Sequence, residues 1–259
     1  MGEASMPFKM QIRASNAPLK RFLFVITTTK REVDRVSLPF FLSVNRIVFP
    51  PKYSVDVSVF FENTVGLSER YNSILDDKDN EKYDYICFIH DDLWINDVFI
   101  LDKIDKCSSS FDLIGTCGGK GWVPQKETSK PMIWTTSSKD AGMSGFMIHS
   151  ARSEILGKDK KLGIDGRMMF ATSYGMSPLR VLTIDGNFIC FTKKAISAHL
   201  RFDTDFRFHF YDIDVSFRAY AKGLTTGTAP ICVTHDSLGL SVSQPEFMES
   251  QKKFLSKWF

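Results

Sequence analysis

Three polar clusters in this sequence carry the residue types that metal and proton chemistry require. His90-Asp91-Asp92 ends the apolar run YDYICFIH, His235-Asp236 follows a second apolar run, and Asp203, Asp205, Asp212 and Asp214 recur shortly before it. Carboxylates and imidazoles at the ends of apolar strands are costly to desolvate unless an ion or ligand satisfies them. A solvated strand end capped by Asp is the plainer alternative for any one cluster. Taken together they suggest a divalent cation held by Asp92 and His235, with diphosphate oxygens completing the shell, a donor set that suits Mn²⁺ or Mg²⁺ better than zinc. Thiolate sites are excluded, because Cys87, Cys107, Cys117, Cys190 and Cys232 are odd in number and form no C-x-x-C pair. That usage reads as a reduced, cytoplasmic chain.

The elements that must position these groups follow from the hydrophobic pattern. Strands are expected at Arg21 to Thr27, at Ser54 to Phe61, at Tyr83 to His90 and at Phe111 to Thr116, with helices from Gly66 to Leu75 and from about Asp97 to Lys106. Strand alternating with helix implies a mostly parallel sheet covered on both faces. From Cys117 to about Arg180 the glycine-rich, weakly periodic sequence reads as loops or a short hairpin layer over a site. Regular structure resumes with Val181 to Ile184, a turn at Asp185-Gly186, and Asn187 to Phe191. A helix is expected near Lys193 to Ala198, and another from Tyr211 to Lys222, ended by Gly223, with Asp214 and Arg218 spaced for an i,i+4 pair. The strand Ile231 to Thr234 delivers His235, and a terminal helix begins near Gln244. In an open α/β sheet ligands bind beyond the carboxyl ends of the strands, which singles out Thr27-Thr28-Thr29, Glu62-Asn63 and His90-Asp91-Asp92.

Composition narrows the partners. With 259 residues, 43% of them hydrophobic, the chain can bury a core of its own, and most of its 23 phenylalanines are expected there. Thirty-three basic against 30 acidic residues is too even a balance for a nucleic-acid binder. No apolar run approaches the roughly 18 residues of a membrane span. The start lacks the apolar core of a signal peptide, and Met6 stands where a myristoylation signal has Ser or Thr. The basic and aromatic end, Lys252 to Phe259, is expected to dock on the domain, the alternative being weak association with a membrane surface.

Six blocks carry a resemblance: FFENTVGLSERYNSIL, IHDDLWI, TIDGNFICFTKKAI, FHFYDIDVSFRAYAKG, THDS and the ending KKFLSKWF. In that order they resemble the family 2-type glycosyltransferases of GT-A fold, and more narrowly a bacterial and viral subgroup whose metal motif reads His-x-Asp. No single block is specific, but the likeness runs from about Arg21 to Trp258. It implies an α/β GT-A (Rossmann-like) fold: a mostly parallel central sheet flanked by helices, with a smaller acceptor-side layer. The domain would span residues 21–259 after a tail of residues 1–20, its nucleotide-binding half about 21–117 and its acceptor-side half about 118–259.

Carried over residue by residue, the resemblance implies that Asp92 binds the metal, with His90 or Asp91 near the ribose or diphosphate. Glu62 would sit near the nucleobase or ribose, and Thr27 and Thr28 would open the nucleotide pocket. Asp212 takes the position of the catalytic base, Tyr211 replacing the usual acid before it, and Asp185-Gly186 floors the acceptor side. Trp122 and Trp134 would either stack on a sugar or pack in the core. The implied activity is an inverting, Mn²⁺- or Mg²⁺-dependent transfer of a sugar from a uridine or deoxythymidine diphosphate donor to a glycan or glycoconjugate hydroxyl, which needs one cation and one base. The alternatives are a non-catalytic sugar-nucleotide-binding relative and a metal-dependent phosphoesterase or nucleotidyltransferase.

Overall fold

The computed structural model describes residues 6–13, 20–121, 142–152, 167–237 and 244–259. In chain order its strands are β1 (Phe8–Arg13), β2 (Lys20–Thr27), β3 (Tyr53–Phe60), β4 (Tyr85–His90), β5 (Leu93–Ile95), β6 (Leu113–Gly115), β7 (Cys117–Gly119), β8 (Met143–Arg152), β9 (Arg167–Gly175), β10 (Leu179–Arg180), β11 (Thr183–Ile184), β12 (Phe188–Thr192), β13 (Thr226–Thr228) and β14 (Val233–His235). The helices are α1 (Pro39–Val44), α2 (Leu67–Asp76), α3 (Ile100–Cys107), α4 (Lys193–Ser197), α5 (Tyr211–Ala221) and α6 (Pro245–Trp258).

Two mixed sheets result. The larger has eight strands in the order β1-β3-β2-β4-β12-β6-β13-β10, and the smaller has the order β11-β7-β8-β14-β5 with β9 paired to β8. Among the described residues only four of the twelve strand pairings are parallel: β2 with β3, β2 with β4, β6 with β13 and β8 with β14. This overturns the expected GT-A, Rossmann-like fold with a mostly parallel central sheet. Helical crossovers do return the chain to the same edge for β2, β3 and β4. The chain then enters β12 from the opposite edge, through Asp185-Gly186, and β12 runs antiparallel between β4 and β6. The two short apolar runs flanking that turn are not a hairpin, since β11 belongs to the smaller sheet and β12 to the larger.

Within the first half the strands fall where their sequences imply. From Phe22 to Ile26 the side chains of β2 are 0–1% exposed, as a strand covered on both faces requires. The stretch read as an N-terminal tail contains β1, whose Phe8, Met10 and Ile12 alternate with Lys9 and Gln11 and which pairs antiparallel with β3. The glycine-rich middle holds the ten-residue β8 and nine-residue β9, a hairpin longer than the sequence suggests. Aromatic packing joins the sheet to the later helices: Phe88 on β4 meets Tyr71 of α2, Phe191 of β12 and Phe202. In register, Thr27 lies beside His90 and Phe60, so the carboxyl ends of β2, β3 and β4 share one edge.

Candidate functional site

At that edge the two sheets meet. β4 ends at His90, and the turn Asp91-Asp92 leads straight into β5. β14 pairs with β5, which sets His235 opposite Leu93, and Asp236 N donates to Asp92 O at 2.9 Å. His90, Asp92 and His235 each offer one ligand atom within 4.8 Å of the others. Asp92 Oδ1 lies 3.3 Å from His235 Nε2 and 3.9 Å from His90 Nδ1, yet it is buried and makes no hydrogen bond of ordinary geometry. An orphaned buried oxygen is costly. A cation among the three groups would satisfy it, so the two imidazoles and one carboxylate fit a divalent ion that accepts nitrogen and oxygen ligands.

Tyr211, the first residue of α5, fixes the tautomer of His90. Its hydroxyl donates to Gly186 O at 2.7 Å and is left to accept from His90 Nε2, also at 2.7 Å. His90 Nδ1 therefore keeps its lone pair, as a metal ligand must. Burial pushes His90 below the ordinary imidazole range, against the pull of Asp92. For Asp92, burial would raise the carboxyl, but the neighbouring His235 and His90 imidazoles outweigh it and hold it at about 2. Burial would likewise lower His235, and the contact with Asp92 overcomes it and raises the imidazole. A divalent ion at this place would take Asp92 ionised and both imidazoles neutral, and so would displace the proton that the raised His235 favours.

Beside this cluster is a cavity of about 380 Å³ lined by Thr27, Thr28, Thr29, Asn63 to Leu67, Asp91, Arg207 and Phe208. Thr28 Oγ1 donates to Asp91 Oδ2 at 2.6 Å. Thr27, only 7% exposed, leaves Oγ1 buried with no hydrogen-bond partner among the described residues. The opposite wall arrives from far along the chain. Leu67 N donates to Arg207 O at 2.7 Å, and a Cβ on Gly66 would meet Arg207 Cβ at 2.9 Å, so only glycine lets the two segments close. Among the described residues the exposed Arg207 guanidinium makes no hydrogen bond or ion pair. The half-exposed Phe208 ring lies 6.3 Å from that of His90, with planes 16° apart.

On the other side of Tyr211 is Asp212. Phe210 begins α5 in the left-handed region, φ 66°, which turns Tyr211 and Asp212 toward Asp185-Gly186. A Cβ on Gly186 would sit 2.4 Å from the Tyr211 hydroxyl oxygen and 3.2 Å from Asp212 Cβ, so glycine is required there too. Asp185 Oδ1 accepts from Asn187 N at 2.9 Å. Burial, then the charge of Asp185, raise Asp212 to about 7. The sequence suggests a carboxylate kept ionised by the start of its helix, whereas burial and the second carboxylate win. The result is a proton acceptor poised near neutral pH.

Asp214 does not pair with Arg218. It is fully buried and turned toward α6, where its Oδ1 accepts from Lys257 Nζ at 2.6 Å and from Trp258 Nε1 at 2.8 Å. Arg218 instead lies 3.6 Å from Asp203, which also binds Lys257. The i,i+4 spacing is satisfied along the helix, but burial hands Asp214 to the C-terminal helix. That helix docks on the domain through Lys257, Trp258 and the fully buried Phe254.

The sequence-expected residues divide accordingly. His90, Asp92 and His235 form one cluster, Thr27, Thr28 and Asp91 line the cavity beside it, and Asp185, Gly186 and Asp212 adjoin through Tyr211. Glu62 is exposed, with φ 49°, and is not among the cavity-lining residues; its neighbours Asn63 and Thr64 are. Trp122 and Trp134 lie outside the described residues. Sequence reasoning missed Arg207, Phe208 and the bridging hydroxyl of Tyr211, which announce themselves by no spacing. No family model matches the chain, and no curated protein matches it. Among solved structures it is similar to one described as "Crystal Structure of A197 from STIV", at 13% identity and a TM-score of 0.45 over 84% of this chain and 86% of that one. At that level the likeness carries no weight for function.

Proposed function

We propose that this protein is a metal-dependent glycosyltransferase that moves a sugar, with inversion, from a uridine or deoxythymidine diphosphate donor to a glycan hydroxyl. The observation that supports it most is Tyr211. One side chain joins the His90 end of a metal-binding triad to Gly186, and its neighbour Asp212 is a carboxylate raised to about 7. In this reading the cation site and the base lie on either side of Tyr211, as displacement of a diphosphate by a hydroxyl requires.

In this reading the cavity takes the nucleoside. Thr27 Oγ1 and Thr29 offer hydrogen bonds, Phe208 offers a ring face, and the unpaired Arg207 faces the diphosphate charge. His90, Asp92 and His235 hold the cation, which when bound neutralises charge on the leaving diphosphate. Asp212 accepts the proton of the acceptor hydroxyl as its oxygen bonds the anomeric carbon. The bond from that carbon to the donor phosphate oxygen breaks, and its electron pair leaves with the nucleoside diphosphate. Tyr211 does no proton transfer; burial holds its hydroxyl far above the range in which it could ionise.

The test is a panel of nucleotide sugars with Mn²⁺, read by nucleoside diphosphate release and by product glycoside. Release that depends on Mn²⁺ and on Asp212 supports the reading. Tight binding of these donors without any transfer, across a broad set of acceptors, would mark a sugar-nucleotide-binding protein, and hydrolysis of simple phosphoesters would mark the phosphoesterase.

A further inference from the structure

The face that the β8–β9 hairpin turns toward the metal triad carries a row of rings. Directly paired residues of an antiparallel hairpin share a face, so His149 goes with Phe170, and Thr172 and Tyr174 follow at alternate positions of β9. The parallel pairing of β8 with β14 sets His149 beside His235, their ring centroids 6.4 Å apart, and so fixes which way this face looks. His149 anchors the row. The Ser237 backbone bonds its ring, the Tyr174 hydroxyl oxygen lies 3.4 Å from its Nε2, and Phe170 stacks on it at 5.0 Å with planes 21° apart. Phe170 is thus packed against His149 on one side and still 40% exposed.

The inner end of the row is polar. Burial raises Tyr174 above the ordinary phenol range, with Cys117 and Asp185 adding to it, so its hydroxyl stays protonated and can donate. Asp185 is half-buried; its Oδ1 accepts from Asn187 N and Nδ2, while Oδ2 makes no hydrogen bond among the described residues. A carboxylate and a hydroxyl therefore stand near Asp212, and an aromatic ring stands outward of them. Sugars are bound by that combination, because the hydroxyls of a pyranose take hydrogen bonds while the C–H groups of its flat face pack on an aromatic ring. We propose that this face is the acceptor subsite: the sugar that gives the attacking hydroxyl sits against Asp185 and Tyr174, and the next pyranose of the glycan lies on Phe170. The proposal rests on the reading of Asp212 as the base of a glycosyl transfer. A single sugar reaches only the polar end, so the acceptor class selected is an oligosaccharide of two or more residues.

The experiment records saturation-transfer NMR on the full chain with Mg²⁺ and UDP present. The probes are methyl β-glycosides of glucose, galactose and N-acetylglucosamine, β-linked disaccharides of the same sugars, and the acyclic polyol sorbitol. At least one disaccharide should bind about 3- to 10-fold more tightly than its methyl glycoside, with saturation strongest on the C–H protons of one ring face, and sorbitol should not bind. Phe170→Ala should bring that disaccharide down to the affinity of the methyl glycoside, and Phe170→Tyr should keep it. Phe146→Ala, on the other face of the same hairpin and at an equally exposed ring, should change nothing. Equal disaccharide binding by wild type and Phe170→Ala, an equal loss in Phe146→Ala, or no binding of any sugar in the set would overturn the proposal. Glycoside formation that is indifferent to Phe170→Ala would discard the subsite and keep the transferase. Phe170-dependent binding without transfer from any nucleotide sugar would keep the sugar site and discard the transferase.

Discussion

The two ends of the β2-β3-β4 unit are built from similar residue types and treat them oppositely. Where the strands begin, hydroxyls and carboxylates satisfy one another. Tyr53 Oη lies 3.0 Å from Asp102 and 2.9 Å from Asp105, Tyr85 donates to Asp105 at 2.6 Å, and Lys52 pairs with Asp102 at 2.7 Å. Where the same strands end, Thr27 Oγ1 and Asp92 Oδ1 are buried and unpartnered, and Asp212 is raised to about 7. Closed polar networks hold a fold together, whereas groups left unsatisfied in a buried place are an unused capacity for a ligand. The difference sets one edge apart as a closed structural network and the other as the candidate site.

Asp212→Asn should break that contrast most sharply. It keeps the shape and removes the basicity, so transfer should fall by about 10² to 10⁴-fold while donor binding persists. In the wild type, the rate should rise with pH through about 7 as Asp212 loses its proton. Near-normal transfer by the Asn variant would shift the role of base to Asp185 or Asp205. Next in size, Asp92→Ala should abolish the Mn²⁺-dependent rise in melting temperature with a nucleoside diphosphate, the metal-free protein staying folded. Undiminished stabilisation would defeat the metal assignment.

At the opposite edge the signature should reverse. Asp105→Ala removes the carboxylate that Tyr53 and Tyr85 share, leaving Tyr53 with Asp102 and Tyr85 with Ser108, and should cost about 1–2 kcal/mol in chemical denaturation, with Mn²⁺ and UDP binding unchanged. Asp212→Asn should instead stabilise. A carboxyl whose folded pKa is raised binds its proton more tightly when folded, so wild-type stability falls as pH rises from the ordinary carboxylate range to about 7. The Asn variant escapes that loss and should gain on the order of 2 kcal/mol at pH 8, shrinking to nothing near pH 4. A variant no more stable at pH 8 would mean that Asp212 is not perturbed. The smallest effect belongs to Thr27→Val, which removes an orphaned hydroxyl: stability should hold or improve slightly while nucleotide affinity drops several-fold.

How far the sequence could be read follows the same division. Apolar runs ending in polar clusters made β2, β4 and β14 legible, and with them Thr27, His90, Asp92 and His235. Strand direction was not legible, because nothing in the residues of β12 says from which edge it enters, and the antiparallel pairings go well beyond β12, to β1 at one edge, β10 at the other and most of the smaller sheet. β1 did carry a signal, the alternation of Phe8, Met10 and Ile12, hidden by its polar surroundings. Asp214 shows the limit of local spacing, since its distance from Arg218 along the helix is right and its burial against Lys257 and Trp258 decides otherwise. Tyr211 meets partners distant in sequence, His90 and Gly186, which no window of residues contains.

Crystals grown with Mn²⁺ and UDP, measured at the manganese absorption edge, test the central claim most directly. The account predicts one strong anomalous peak within bonding distance of His90, Asp92 and His235, with the diphosphate reaching it from the cavity between Thr27 and Arg207. A peak elsewhere, or no peak at the triad with UDP ordered in that cavity, would contradict it.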